Sequence, residues 1–280
     1  MQYLKKSKNR KPTGGDMKKT FAVLVVLAIV FSVGFVFAEE KENKDSWKFF
    51  GEASVGMHNK YVDDDTGELW YDKSISTQSA MIGFEKAGTG FYFQADNFVP
   101  FEKQESKETD IYLGFYTEAW GMKFDGGLGH YWTREKGEAD WHSLYGSVDF
   151  PSLGWGIVPF TKAEYRLATR KEWVEDENGN ENPVSLNGFF YQVGLKREFK
   201  LTEKVSIVAK LTSGGNTGAL GYETSNLAYI GGKVEGVIDV GNNFKLKPTV
   251  YYQKNLGGEG SVAAEANEKI FLGLALSWSW

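Results

Sequence analysis

The 280-residue sequence contains no cysteine, which excludes a disulfide framework, a thiolate metal site and a cysteine nucleophile. Proline is scarce, with six residues, which suits long uninterrupted strands. Basic residues do not outnumber acidic ones, and the formal net charge of −5 argues against nucleic acid as a partner. After residue 38 no apolar run is long enough for a transmembrane helix, although alternating strands could still cross a membrane.

The sequence is instead rich in aromatic residues, at 15%, and in glycine, with 33 residues. Together with the low proline content, this composition favours long strands joined by tight turns. The chain is long enough for one large β domain.

The first 45 residues have the pattern of an export signal. Lys18 and Lys19 precede an apolar run at 21–37, which ends in the small-residue cleavage pattern Val36-Phe37-Ala38. We predict an upstream artefact of gene assignment at 1–16, a signal peptide at 17–38, a periplasmic leader at 39–45 and the folded domain at 46–280. The alternative for the apolar run is a single membrane-anchoring helix.

The segment from Lys269 to Trp280 shows the clearest strand pattern. From Ile270 onward every second residue is large and apolar, and most residues between are small. Trp278 and Trp280 suit the boundary between hydrocarbon and water. This segment resembles the C-terminal signal of outer-membrane β-barrels, which implies recognition by the barrel-assembly machinery. The alternative is the last strand of a soluble β-sandwich.

Similar alternation along the chain predicts an all-β fold, an antiparallel transmembrane β-barrel of about twelve strands. The predicted strands are 47–57, 75–84, 91–98, 110–117, 122–132, 141–150, 155–169, 186–196, 204–212, 227–240, 244–253 and 269–280. Short and long connections alternate, as expected if both termini and all short turns face the periplasm. Aromatic residues fall into two predicted belts, one at the turn end (Trp47, Trp120, Phe150, Trp155, Phe199, Phe244, Trp278, Trp280) and one at the loop end (Tyr61, Phe98, Trp132, Tyr165, Tyr252).

The positions predicted to face the lumen carry both signs of charge. Lys162, Glu164 and Arg166 form the densest inward stripe and are the predicted pore constriction. The other predicted lumen charges include Lys123, Asp125, Glu235, Asp239, Lys245 and Lys247. Asp239 should lie near Lys245, and Glu235 within diagonal reach of Lys247. A water-filled pore and a closed interior held by ion pairs both fit this pattern.

Signals for enzyme chemistry are weak. Outer-membrane phospholipase A has a His and a Ser two positions apart, whereas here His142 is followed directly by Ser143, which alternation sends to the opposite face. The three histidines are isolated in sequence, so no metal site and no cofactor are predicted. The acidic segments 63–68 and 175–180 do not follow a calcium-loop pattern and are interpreted as solvated loops.

The stretch from about residue 54 to 160 resembles the TorF family of putative outer-membrane porins. The resemblance rests on the segments Ser76-Thr77-Gln78-Ser79, Gly90-Phe91-Tyr92, Glu108 to Gly114, Phe124 to Tyr131 and Leu144-Tyr145-Gly146. It implies a porin-like role and adds no functional residues. Family members have an Arg-Gly pair after the early tyrosine, where this sequence has Val62-Asp63-Asp64.

The sequence therefore predicts a passive outer-membrane channel for small polar solutes, in contact with outer-membrane lipids. A non-transporting structural or surface-interaction barrel and a lipid-acting enzyme remain the alternatives.

Overall fold

The computed structural model describes residues 46–62, 68–101, 107–133, 140–169, 172–175, 181–184, 187–218, 224–258, 262–264 and 267–280. The predicted upstream segment 1–16, signal peptide 17–38 and leader 39–45 lie outside the described residues, as do the acidic segments 63–67 and 176–180. Within the described part of the chain, no helix has the length and hydropathy needed to cross a membrane.

Almost all regular structure in the described residues is β-strand. The strands are β1 (Lys48–His58), β2 (Tyr61–Val62), β3 (Leu69–Tyr71), β4 (Ile75–Lys86), β5 (Thr89–Pro100), β6 (Glu108–Ala119), β7 (Met122–Thr133), β8 (Trp141–Asp149), β9 (Val158–Ala168), β10 (Glu172–Glu175), β11 (Glu181–Val184), β12 (Gly188–Lys200), β13 (Val205–Asn216), β14 (Ser225–Gly241), β15 (Phe244–Asn255) and β16 (Lys269–Ser279).

Twelve of these strands form one closed antiparallel barrel in the order β1-β4-β5-β6-β7-β8-β9-β12-β13-β14-β15-β16, and β16 pairs with β1 to close it. The predicted strand number and the all-β barrel fold are confirmed. The barrel has a turn end, where the connections are short, and a loop end, where they are long. Two small hairpins, β2–β3 and β10–β11, lie within connections at the loop end that the sequence predicts as plain loops.

Left-handed residue pairs make the tightest turns. Ala87-Gly88, Trp120-Gly121 and Asn242-Asn243 all have positive φ angles, between 51° and 78°. Two successive residues with positive φ define the type I′ hairpin, whose twist matches that of the flanking strands. The sequence Gly241-Asn242-Asn243 between two predicted strands is itself a hairpin signal, and the structure confirms that hairpin.

Three predicted strand boundaries differ from the structure by three or four residues: β12 runs on to Lys200 and β13 to Asn216, and the third is the start of β9. Strand β9 begins at Val158 rather than at Trp155, because Gly154–Gly156 form a single 3₁₀ turn in which Trp155 has a φ of 63°. Leu153 and Ile157 pair across this turn, so the connection is longer than a tight turn at 151–154.

The two faces of each strand differ as alternation predicts. On the outside, Leu113, Leu128 and Leu144 are paired across three neighbouring strands and are 58–60% exposed. On the inside, Asp110, Tyr131 and Ser143 are buried. The outer surface is thus apolar and the lumen is polar, as in a barrel whose outer face contacts lipid.

The predicted aromatic belts are partly confirmed. Six predicted residues of the turn-end belt are exposed: Trp47, Trp120, Phe150, Trp155, Phe199 and Phe244. At the loop end Trp132, Tyr165 and Tyr252 are exposed, but Phe98 is buried in a cluster with Tyr71 and Ile75, against which Tyr61 packs. The prediction for Phe98 and Tyr61 is wrong, because Phe98 shares its strand face with inward-pointing residues and Tyr61 belongs to the β2–β3 hairpin.

Candidate functional site

The lumen has two walls of different charge. The acidic wall is the inward face of β4–β9, and the lysine wall is the inward face of β12–β15. On the acidic wall, carboxylates (Glu85, Asp96, Glu108, Asp110, Glu118, Asp125, Asp149, Glu164) outnumber cations (Lys123, Lys162, Arg166). On the lysine wall, cations (Lys196, Lys200, Lys210, Lys233, Lys245, Lys247) outnumber carboxylates (Glu198, Glu235, Asp239). Opposed charges of this kind create a field across the lumen.

The three residues of the predicted constriction all point inward from β9. Arg166 donates from Nε to Glu164 Oε1 at 2.9 Å, and both side chains are almost completely buried. The Arg166 guanidinium carbon lies 4.6 Å from the ring centroid of Tyr131 and 5.1 Å from that of Phe190. The hydroxyl of Tyr131 donates to Glu164 Oε1 at 2.6 Å. These contacts make Glu164 and Arg166 parts of a packed cluster.

A cavity of about 250 Å³ lies against the acidic wall. Its lining includes Lys162, four carboxylates (Asp96, Asp110, Asp125, Glu164) and five tyrosines (Tyr61, Tyr92, Tyr112, Tyr131, Tyr145). Each of three tyrosine hydroxyls donates to a carboxylate. Tyr92 donates to Asp125 at 3.0 Å, Tyr112 to Asp110 at 3.2 Å and Tyr131 to Glu164 at 2.6 Å.

The predicted charges near the turn end form local pairs. Asp239 lies opposite Lys245 in the β14–β15 register, as predicted. Lys123 lies opposite Asp149, and its ammonium group is 5.2 Å from the ring centroid of Tyr116.

Two further predicted charges pair differently from expectation. Lys247 donates to Glu52 at 2.9 Å, across β16, which closes the barrel between them. Glu235 lies opposite Thr249, which donates to it at 3.4 Å, and is 3.8 Å from the ammonium nitrogen of Lys233. The partner of Lys247 is therefore Glu52 on β1, which ring closure brings close. The predicted partner, Glu235, lies on the adjacent strand of the same hairpin.

A row of lysines crosses the lysine wall. Lys196 is opposite Lys210, and Lys210 is opposite Lys233, on three consecutive strands. The ring of Phe160 lies 5.9 Å from the Lys196 ammonium and 5.0 Å from that of Lys210. Lys196 also donates to Asp149 at 2.6 Å, which links the lysine wall to the acidic wall.

The loop end of the lumen is packed with side chains. Val262 and Ala263, from the last long loop, are buried against Phe190 and Tyr229 on the inner wall. On another side, Val62 of the β2–β3 hairpin is buried against Tyr251 and Phe271. Both connections therefore fold inward over the barrel mouth.

Asp72 holds the first loop to the barrel seam. Lys60, beyond the end of β1, and Lys269, at the start of β16, both donate to its carboxylate. The hydrogen bond from Lys60 lowers the pKa of Asp72 below its ordinary value. Because Asp72 is largely exposed, these ion pairs position the loop more than they stabilise it.

The histidines are not all isolated, which corrects the sequence prediction. His130 and His142 are opposite each other on the outer face of β7 and β8, with their Nδ1 atoms 3.3 Å apart. The structure does place His142 outward and Ser143 inward, as alternation predicts. In the described ranges, no group of three or more His, Asp or Glu side chains is arranged to hold a metal ion.

The sequence reasoning missed the tyrosines of the cavity. The predicted strand 110–117 places Tyr112 inward beside Asp110, whereas Tyr92, Tyr131 and Tyr145 are not among the predicted lumen residues. Their signal is present in the sequence, because each occupies an inward position by the same alternation that places the neighbouring carboxylates.

Comparisons with known proteins found similarity among solved structures. Neither a protein-family model nor a curated protein matches the sequence. Among solved structures, the NanC porin is similar with a TM-score of 0.50 and 6% sequence identity, over 81% of this chain and 98% of that chain. The KdgM porin has a TM-score of 0.47 and 8% identity, over 82% of this chain and 99% of that chain. The outer membrane channel DcaP of Acinetobacter baumannii has a TM-score of 0.42 and 9% identity, over 86% of this chain and 99% of that chain.

The chain thus has the fold of the outer-membrane β-barrels. At these identities the likeness concerns the fold alone. The resemblance to the TorF family stays a prediction.

Proposed function

We propose that this protein is an outer-membrane channel through which small hydrophilic solutes diffuse. The observation that carries the proposal is a closed twelve-strand barrel with an apolar outer face and a charged lumen. Charged side chains in a lumen require water or a partner to solvate them. Twelve strands give a lumen wider than the filled interior of an eight-stranded barrel and narrower than that of the sixteen-stranded porins.

The N-terminal segment would direct export, and the two termini and short turns would face the periplasm. The barrel-assembly machinery would recognise the last strand by its alternating pattern and its aromatic end, Trp278 and Trp280, whose ring centroids are 4.6 Å apart. Contact with outer-membrane lipids would involve the apolar outer face.

The test is conductance in planar lipid bilayers. Folded protein, identified by a change of gel mobility on boiling, should produce discrete current steps, whereas the same sample unfolded by heat before addition should produce none. We expect small steps, because side chains fill much of the loop end of the lumen.

A non-transporting barrel is the second candidate, and the inward-folded loops favour it. A barrel that inserts into the bilayer, keeps its heat-dependent mobility and passes no current would contradict the channel proposal and support this alternative.

A further inference from the structure

Two aspartates face each other on the acidic wall, inside the lumen. Asp96 on β5 lies directly opposite Asp110 on β6, and Glu108 follows on the same face of β6. Directly opposed like charges destabilise a strand pair. Hydrogen bonds from neutral side chains reach one oxygen of each aspartate, so a cation or a proton is needed to compensate the remaining charge.

Asp110 has an oxygen that the protein leaves without a hydrogen bond. The residue is completely buried, and its Oδ2 accepts a hydrogen bond from Tyr112 at 3.2 Å. Its Oδ1 is buried with no hydrogen-bond partner in the structure. An open carboxylate oxygen in such a place is costly unless a cation or a proton compensates it.

The other carboxylates of the cavity have partners of their own. Asp125 accepts from Tyr92 at 3.0 Å, and Glu164 is paired with Arg166 at 2.9 Å. Asp96 accepts from Gln94 at 2.8 Å through Oδ2, but its Oδ1 is buried without a hydrogen-bond partner, like Oδ1 of Asp110. The unpartnered carboxylate oxygens of the cavity are therefore those of Asp96 and Asp110.

Aromatic rings surround the same space. The ring of Tyr112 makes edge-to-face contacts with Tyr131 and Tyr145, with centroids 5.8 Å apart in both pairs. The Tyr92 and Tyr145 hydroxyls are 2.9 Å apart, which fixes the two rings relative to each other. The electron-rich faces of aromatic rings attract cations, and aromatic cages of this kind suit organic ammonium groups.

We propose that the cavity lined by Asp96, Asp110, Tyr92, Tyr112, Tyr131 and Tyr145 binds small organic cations. The volume of about 250 Å³ is below that of pockets for drug-sized ligands, so a ligand of few heavy atoms fits. A metal ion is disfavoured, because it needs a compact shell of several hard oxygen ligands. None of the described side chains form such a group of three or more.

The inference deepens the proposed function and rests on it in one respect: the cations bound here would be the solutes that the channel accepts. The binding site itself is a property of the folded barrel, and it can be measured without transport.

The test is titration calorimetry of the full chain, folded in detergent micelles at neutral pH, with choline chloride as the probe. Calcium chloride and sodium acetate at equal ionic strength are the comparison titrants. We expect saturable binding of choline and none of acetate. Binding of calcium without choline would overturn the proposal in favour of a metal site. The absence of choline binding by folded protein would also overturn it, and would indicate that a shared proton compensates the carboxylates.

Variants locate the site. Asp110→Asn keeps the side-chain shape and removes the charge, and should weaken choline binding at least about tenfold. Asp96→Asn is the second variant, in case the first does not fold. Glu85→Gln is the matched control, because Glu85 also accepts a hydrogen bond from a tyrosine, Tyr116 at 2.5 Å, but does not line the cavity. Equal choline affinity in wild type and in both aspartate variants would overturn the assignment.

Failure of this inference can be distinguished from failure of the proposed function. If the barrel conducts but does not bind choline, the cation-site proposal is wrong and the channel proposal stands. If the barrel binds choline but passes no current, the cation-site proposal stands and the channel proposal is wrong.

Discussion

At the scale of single residues, close contact between glycine and aromatic rings shapes the lumen. A Cβ atom at Gly114 would lie 2.1 Å from the ring of Tyr92, and one at Gly90 would lie 2.5 Å from Tyr116. A Cβ atom at Gly214 would likewise lie too close to Tyr229, and one at Gly231 too close to Tyr251. Glycine in a strand lets a neighbouring ring lie flat against the backbone, so these inward rings can be large without filling the lumen completely.

This packing predicts the effect of Gly114→Ala. The added methyl group should displace Tyr92 and break its hydrogen bonds to Asp125 and Tyr145. We expect a loss of about 1–3 kcal/mol in the free energy of unfolding, measured by denaturant titration in micelles. Gly232→Ala is the control, because a Cβ there has open space around it. A similar loss in both variants would show that contact with Tyr92 is not responsible, because Gly→Ala in a strand without such a contact should not destabilise the fold.

At the same scale, burial and ring contacts hold Glu164 and Arg166 of the predicted constriction in fixed positions. Both side chains are almost fully buried, and Arg166 is also held between two rings. Removal of one partner would leave a buried charge without compensation. Lys162, which lines the cavity, is the member of the predicted stripe that faces open space.

At the scale of elements, strand β16 separates two environments. Leu272, Leu274 and Leu276 face outward, whereas Ala275 and Ser277 face the lumen. The register with β15 aligns Leu274 with Pro248 and places Thr249 on the inward face, opposite Gly273.

The strand predicts opposite tolerance to charge on its two sides. Leu274→Arg should reduce the stability of the barrel in lipid vesicles by about 2–4 kcal/mol, because arginine is costly at the bilayer midplane. Thr249→Arg should be tolerated, since it adds a charge to the lumen beside Glu235. Urea titration of folding into vesicles checks both. If Leu274→Arg proved harmless and Thr249→Arg harmful, the assignment of faces would be reversed.

At the scale of the whole molecule, the two inward-folded connections decide how open the barrel is. Val262 and Ala263 fill space beside Tyr229, and the β2–β3 hairpin packs against Tyr251. These contacts lie at the loop end, so they narrow the mouth while the charged positions nearer the turn end stay partly exposed.

Release of the last loop should widen the channel. Val262→Asp places a charge in the apolar cluster and should expel this segment from the mouth, which would raise the single-channel conductance. Leu256→Asp is the control, because Leu256 belongs to the same connection but is exposed. If the conductance of Val262→Asp equals that of Leu256→Asp, the loop does not restrict the pore.

The sequence by itself determined the number of barrel strands, the inward or outward direction of most side chains and the tightest turns. These properties are local: alternation has a period of two residues, and left-handed turns depend on the residues within them. Alternation also corrects the predicted aromatic belt, because the pattern that places Asp96 inward places Phe98 inward as well.

Only the tertiary structure decided which inward residues meet. Lys247 pairs with Glu52, 195 residues away, and His130 stands opposite His142. Asp96 faces Asp110, and one carboxylate oxygen of each is buried without a hydrogen-bond partner. The physical reason is that alternation decides whether a side chain points inward or outward. It does not decide the side chain's height along the barrel axis relative to residues on neighbouring strands. Height comes from strand register, loop packing and ring closure, which depend on residues far apart in the chain.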